Sequence, residues 1–256
     1  MKALVYTGPK QVEYLDFKDP SPTNGEFLVK ITNVGICGSD MHAYLGHDDR
    51  RPAPLILGHE ASGIIEEGEK KGESVFINPL VSCGECHYCL DGRSNLCPKR
   101  QIISMPPRQG AFAEYITMPP KNLIPIPEGL TTTKAALAEP LATSWHAVLT
   151  ASRHSHRPLS ETKGLVIGAG AVGLGSALSL KAFGCKEVSI AETNKLRRKT
   201  AEKAEIGIVV DPTHEGGIND DTMDVVIDAV GCKESRIAAV KSAKPGSVIV
   251  HVGLLD

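Results

Sequence analysis

The chain has 256 residues, of which 41% are hydrophobic and 23% charged, with a formal net charge of −2. That length accommodates two domains with separate cores, and the near-neutral charge offers no field for nucleic acid or an anionic membrane. The first ten residues lack the apolar stretch of a secretion signal and no later run could span a bilayer.

The first half reads as β. Short β-branched or alternating runs at 2–6, 12–17, 26–32, 64–66, 74–78 and 113–117 are separated by Gly and Pro. Residues 124–127, Ile-Pro-Ile-Pro, are extended because each Pro biases its predecessor away from helix. From Thr131 to about Ser152 the pattern is helical, interrupted at Pro140. Regular alternation follows: strand 164–167, helix 172–183 closed by Gly184, strand 187–191, helix 194–204, and strands 208–210, 224–229 and 247–252. Apolar strands alternating with helices predict a parallel sheet covered on both faces. The fold class is therefore α/β plus β, with a β-rich domain over residues 1–142 and an incomplete α/β domain over 143–256.

Seven cysteines raise the question of disulfides, but four cluster at metal spacing and the rest are scattered, so a cytoplasmic location is expected. Cys83, Cys86, Cys89 and Cys97 follow C-x2-C-x2-C-x7-C and supply four thiolates, the closed set of a structural zinc. The lobe around them has almost no apolar side chains, so metal must hold it. His87 lies inside the loop as a spare ligand, and iron in a rubredoxin-like pocket is the competing reading. Cys37 and the triplet Gly58-His59-Glu60 offer sulfur, imidazole and carboxylate, with Glu139 as a further acid fixed before Pro140. Such a set with an open position is that of a catalytic zinc, which polarises an alcohol oxygen and lowers its pKa. Taken singly, Cys37 reads as a small core residue and Glu139 as a solvated acid. Ser39 can take the released proton and pass it to His42 one turn on; the competing reading is a helix cap and an exposed polar residue. His47, His146, His154, His156, His214 and His251 receive no role, and Trp145 and Leu149 read as interdomain packing.

Residues 168–173, Gly168-Ala169-Gly170-Ala171-Val172-Gly173, form G-x-G-x-x-G directly after a strand and opening a helix. Gly168 permits the tight turn, Gly170 lets a pyrophosphate approach the backbone, and Gly173 lets helix and strand pack closely. The phosphates then meet free N–H groups at the positive end of the helix. Glu192 ends the second strand, where an acid accepts from the adenosine ribose hydroxyls and repels a 2′-phosphate, favouring NAD over NADP. Arg197, grouped with the cofactor-binding residues, and Arg198 lie nearby and bear on that preference. A Gly-rich turn without nucleotide, and a solvated strand-end charge at Glu192, are the plainer readings.

These motifs, together with Gly-Ile-Cys37-Gly-Ser-Asp, Cys-Gly-Glu-Cys-His-Tyr-Cys and Ala-Glu139-Pro-Leu-Ala, resemble the zinc-containing medium-chain dehydrogenase family from end to end. The resemblance implies a GroES-like catalytic domain, a doubly wound Rossmann domain, and substrate in the cleft between them. It implies a catalytic zinc on Cys37, His59 and Glu60. Glu139 stands where conventional alcohol dehydrogenases carry a second cysteine, as in the sorbitol and butanediol dehydrogenase branch, and there it would hold zinc directly or through water. The implied activity is NAD-dependent oxidation of a polyol or secondary alcohol, with two zinc ions per chain and Ser39, His42 and Glu60 in catalytic roles. A non-catalytic NAD- and zinc-binding remnant is the alternative, while a zinc-module nucleic-acid binder is disfavoured by charge and by 4% aromatic content. Two departures are noted. Family members continue past the fifth Rossmann strand, adding a last strand, commonly a dimer edge, and a return to the catalytic domain. The segment from Glu66 to Gly72 is also short for the family. A dimer or tetramer is expected of a full-length subunit; were this the whole polypeptide, it would expose an unpaired strand edge.

Overall fold

The computed structural model describes residues 1–23, 25–214 and 217–253. Two compact units emerge, Met1–Glu139 and Pro140–Asp256. In chain order the first carries β1 (Lys2–Gly8), β2 (Gln11–Asp16), β3 (Phe27–Gly35), α1 (Gly38–Leu45), β4 (Leu55–Ile56), β5 (Glu60–Ile65), β6 (Ser74–Ile77), β7 (Leu80–Val81), α2 (His87–Leu90), β8 (Gln101–Ile102), β9 (Tyr115–Met118), β10 (Leu123–Pro125) and α3 (Thr132–Ala135).

Its main sheet runs β10-β6-β5-β3-β9, and every pairing within it is antiparallel. Burial alternates residue by residue along β6 and β9, the period of strands with one face on a core. That core is built from Val29, Ile65, Val75, Ile77, Ile116 and Met118. A smaller sheet, β2-β1-β4, completes the antiparallel part together with the β7-β8 pair. A register shift between Ile31 and Asn33 re-aims the end of β3, and Gly35 then faces Glu60 across the ladder.

Two expectations are corrected here. The strand expected at 64–66 begins at Glu60, because Ala61, Ser62 and Gly63 have weak strand propensity but are fully buried, and packing decides. The helical stretch from Thr131 is not interrupted at Pro140. It breaks at residues 136–137, between α3 and α4 (Ala138–His154), and Pro140 sits in the first turn of α4, where no intrahelical donor is needed.

The second unit alternates strand and helix: β11 (Lys163–Ile167), α5 (Ala171–Ala182), β12 (Glu187–Ala191), α6 (Lys195–Lys203), β13 (Ile208–Val210), β14 (Met223–Asp228), α7 (Lys233–Ser242) and β15 (Ala243–His251). All four pairings are parallel and the order is β13-β12-β11-β14-β15. The chain starts in the middle, winds to one edge, and returns beside β11, so the winding reverses between β11 and β14. Core clusters cover both faces, one including Val166, Ile190 and Ile227, the other Leu165, Ile167 and Val226. Four consecutive buried residues in β11 follow from that double cover.

The last strand begins four residues before the expected Ser247. Pro245 and Gly246 read as breakers, but β15 tolerates them beside a register shift between Met223 and Val225. Trp145 packs on the ring of Phe183, at 4.6 Å between centroids, within this unit. Among the described residues no helix is long and apolar enough to cross a membrane.

Candidate metal and nucleotide sites

Cys37 caps the start of α1, and His59 and Glu60 stand at the beginning of β5. One ligand atom from each lies within 4.8 Å of the others, the reach of a single ion, and both His59 and Glu60 are buried. Gly58 precedes them with φ of 90°, a left-handed turn that an L side chain resists. A Cβ there would also strike the Phe112 ring, 2.7 Å away. A Cβ at Gly35 would overlap the Glu60 carboxylate, so the missing side chain is what makes room for the acid.

Asp40, which the sequence reading passed over, organises this set. Its Oδ2 accepts from the Cys37 N–H at 3.0 Å and its Oδ1 from the Gly58 N–H at 3.1 Å. Oδ1 also lies 3.4 Å from His59 Nδ1, close enough for electrostatic attraction although that nitrogen has no aligned hydrogen-bond partner. Burial would raise the Asp40 carboxyl, but His59 and the two N–H groups hold it below its ordinary value. The His59 imidazole, disfavoured as a cation by burial, is nevertheless driven up to about 10 by Asp40 and Cys37. A half-buried sulfur with a buried nitrogen and oxygen, drawn together under this negative field, fits a divalent cation of borderline softness. The signal available in sequence was the spacing C-x-x-D, which puts the acid in the first turn of the helix that Cys37 opens.

Glu139 does not join the triplet of Cys37, His59 and Glu60. It stands in the first turn of α4, and burial raises its carboxyl, with the charges of Glu60 and Asp40 adding to the effect and His59 opposing it. Glu60 is likewise raised by burial. Ser39 and His42 lie three residues apart on α1 and so share a face.

Cys83, Cys86, Cys89 and Cys97 also converge within 4.8 Å, and His87 is outside that set. The sulfurs of Cys86 and Cys89 are 3.5 Å apart, those of Cys83 and Cys97 3.5 Å, and those of Cys83 and Cys89 3.9 Å. A tetrahedral zinc with thiolate bonds of about 2.3 Å requires sulfurs about 3.8 Å apart, so the cluster fits. The N–H groups of Glu85 and Cys86 pull the Cys83 thiol down to about 6, part-way to a thiolate ligand. The short helix α2 in this lobe buries no residue, and Leu90 and Leu96 are exposed.

In the second unit the three loop glycines differ in what they permit. Gly168 has φ of 96°, and a Cβ on it would press on Val230 at 2.7 Å. A Cβ on Gly173 would overlap the Gly168 carbonyl, which sets how closely α5 approaches β11. Gly170 faces open space and caps α5 without a side-chain bond, leaving a cradle at the helix end, with Ala171 and Val172 as its first two residues. Glu192 is buried; its Oε2 accepts from the Ala169 N–H at 2.8 Å and its Oε1 from the Asn194 N–H at 2.7 Å. Arg198 is committed to the Glu192 and Thr193 carbonyls and to Asp211, whereas Arg197 is exposed on α6. His251, assigned no role from sequence, pairs with the fully buried Asp228 at 3.0 Å.

Comparison with known proteins agrees with this architecture. The model of the alcohol dehydrogenase GroES-like domain matches residues 23–128. L-galactonate-5-dehydrogenase of Escherichia coli (strain K12) is 35% identical over 268 residues, covering 99% of this chain and 76% of the relative. Sorbitol dehydrogenase of Bacillus subtilis (strain 168) is 32% identical over 270 residues, covering 99% and 75%. A zinc-binding dehydrogenase from Sinorhizobium meliloti 1021, solved bound to NADP, superposes with a TM-score of 0.87 at 30% identity, covering 99% of this chain and 77% of that one.

The fold is thus a GroES-like domain followed by a Rossmann sheet, and the class is oxidoreductase. The chain belongs to the zinc-type medium-chain alcohol and polyol dehydrogenase family.

Proposed function

We propose that the protein is an NAD- and zinc-dependent dehydrogenase of a polyol or secondary alcohol, with residues 1–142 as its catalytic domain and 143–256 as its nucleotide domain. The observation that carries this reading is the convergence of Cys37, His59 and Glu60 within 4.8 Å. Cys37, His59 and Glu60 hold the catalytic zinc, with Glu139 a nearby acid that reaches the ion or its water. Cys83, Cys86, Cys89 and Cys97 hold a structural zinc that forms the lobe. When bound, the catalytic ion supplies a Lewis acid that polarises the substrate hydroxyl and lowers its pKa.

The protein's own groups do the rest. Asp40 fixes the imidazole and the Cys37 turn. Ser39 Oγ accepts the hydroxyl proton while donating its own onward, and His42 on the same helix face carries it towards water. When bound, the nicotinamide would supply the acceptor for hydride from the carbinol carbon, and the product would be a ketone or aldehyde. The carboxylate of Glu192 opposes a 2′-phosphate, and Arg198 is already engaged, which favours NAD although one structural neighbour was solved with NADP. Relatives named for galactonate and sorbitol support a polyhydroxy substrate.

A screen of polyols and sugar acids by NADH absorbance, run beside metal analysis, tests the reading. Turnover with two zinc ions per chain supports it, and Cys37→Ser should abolish turnover while leaving NAD affinity intact. NADH binding without turnover on any alcohol would instead favour a binding-only protein.

A further inference from the structure

The carboxyl ends of β14 and β15 carry a titratable pair outside the two metal sets. Asp228 ends β14 with its side chain fully buried, and it faces His251 across the parallel ladder. The carboxylate is used on both oxygens. Oδ1 accepts from the Val230 N–H at 3.1 Å and the Gly231 N–H at 3.0 Å, while Oδ2 accepts from the His251 ring at 3.0 Å. The Asp228 backbone carbonyl accepts from Val252 N–H at 2.9 Å and Gly253 N–H at 3.0 Å. One residue therefore ties together the turn after β14 and the turn after β15.

Those turns leave no slack. A Cβ on Gly253 would overlap the Val230 carbonyl carbon and the Gly231 nitrogen, so the two backbones touch. On its other side Val230 presses against Gly168, the first glycine of the phosphate loop. Glu192 lies on the opposite side of that loop, after β12, while β14 and β15 lie beyond the winding reversal. In sheets of this order a dinucleotide spans the crevice at the reversal, adenosine on the β12 side and the other half on the β14 side.

Resting on the nucleotide reading above, we propose that Asp228 and His251 are positioning residues that fix the wall of the crevice opposite Glu192, and that they set affinity for the nicotinamide half of the cofactor. The pair touches no phosphate itself; it acts through Val230, Gly231 and Gly253. Burial would raise the Asp228 carboxyl, yet His251 and the two N–H groups hold it below its ordinary value, so it stays an acceptor. A buried acid whose side chain holds one turn and the ring of the next strand, and whose carbonyl holds the second turn, pins the two turns to each other.

The experiment compares two probes, NADH by nicotinamide fluorescence and AMP by calorimetry, on wild type, Asp228→Asn, His251→Phe and His251→Asn. Asn at 228 can still accept from the Val230 and Gly231 N–H groups but offers an uncharged amide to the His251 ring, so NADH affinity falls about tenfold, the worth of one charge-assisted hydrogen bond, while AMP affinity holds. His251→Phe, at a partly exposed site that tolerates replacement, shows the same split, and His251→Asn, which retains a donor, restores NADH binding. Equal losses for NADH and AMP mean a merely structural role and overturn the inference. Unchanged NADH binding in His251→Phe overturns it as well, even where Asp228→Asn does not fold. Failure of the wild type to bind either probe removes the nucleotide reading, and the inference with it.

Discussion

Gly35 and Glu60 face each other across the β3–β5 ladder, and the volume a side chain at 35 would fill is occupied by the Glu60 carboxylate. The glycine is there for the acid rather than for backbone freedom. Gly35→Ala should push Glu60 out of its place beside Cys37 and His59. The expected result is loss of about one metal ion per chain with a fall in stability of about 1–3 kcal/mol, the usual cost of overpacking. Metal analysis and a denaturant melt check both halves.

Asp40 sits at the centre of three contacts, and replacing its charge tests whether it orients the imidazole. Asp40→Asn keeps the shape and some of the bonds but removes the field on His59. Partners of metal-ligating histidines typically account for 10–100-fold in metal affinity or activity, and a loss of roughly that size is expected here. Zinc competition against a chromophoric chelator reads the affinity directly.

Acid sensitivity follows from Asp48. The Arg50 guanidinium, with Arg51, holds its carboxyl down to about 2 from an ordinary value of 3.8. A depressed folded value means that the contribution is fully present above about pH 4 and is lost as pH falls through 2. Thermal melts from pH 5 to pH 2 should therefore show a smaller pH slope in Asp48→Asn than in wild type. Identical slopes would mean that the pair adds nothing in solution.

The proposed preference for NAD is tested at Glu192. Glu192→Ser removes both the repulsion of a 2′-phosphate and the bond to the Ala169 N–H. The ratio of NADP to NAD affinity should rise about tenfold, with NAD itself weakened. Competitive titration of the two cofactors against NADH decides it.

Legibility in the sequence tracked how local each signal is. The Gly-rich loop is a contiguous string, so the tight turn at Gly168 and the close helix–strand approach at Gly173 could be read before any fold was known. The four sulfurs likewise announce themselves by spacing. Asp40 and His251 did not, because Gly58 and His59 for the one and Asp228 for the other lie far along the chain, and an isolated Asp or His looks like any solvated one; only the local C-x-x-D spacing pointed to Asp40. Pro140 misled through a general rule about helix interiors, when its place in the first turn made it harmless. The start of β5 was missed because Ala61, Ser62 and Gly63 are chosen for their small volume against neighbouring chain, a property no propensity records.

Among the described residues, α2 buries nothing and Leu90 is 77% exposed, so the cysteine lobe has no oil of its own. With the proposed zinc on its four cysteines, its shape would be a readout of the metal supply rather than of the solvent-avoiding interior that steadies both sheets. A starved cell would make molecules with two sound cores and one slack appendage, damage that a global unfolding curve passes over and a protease does not.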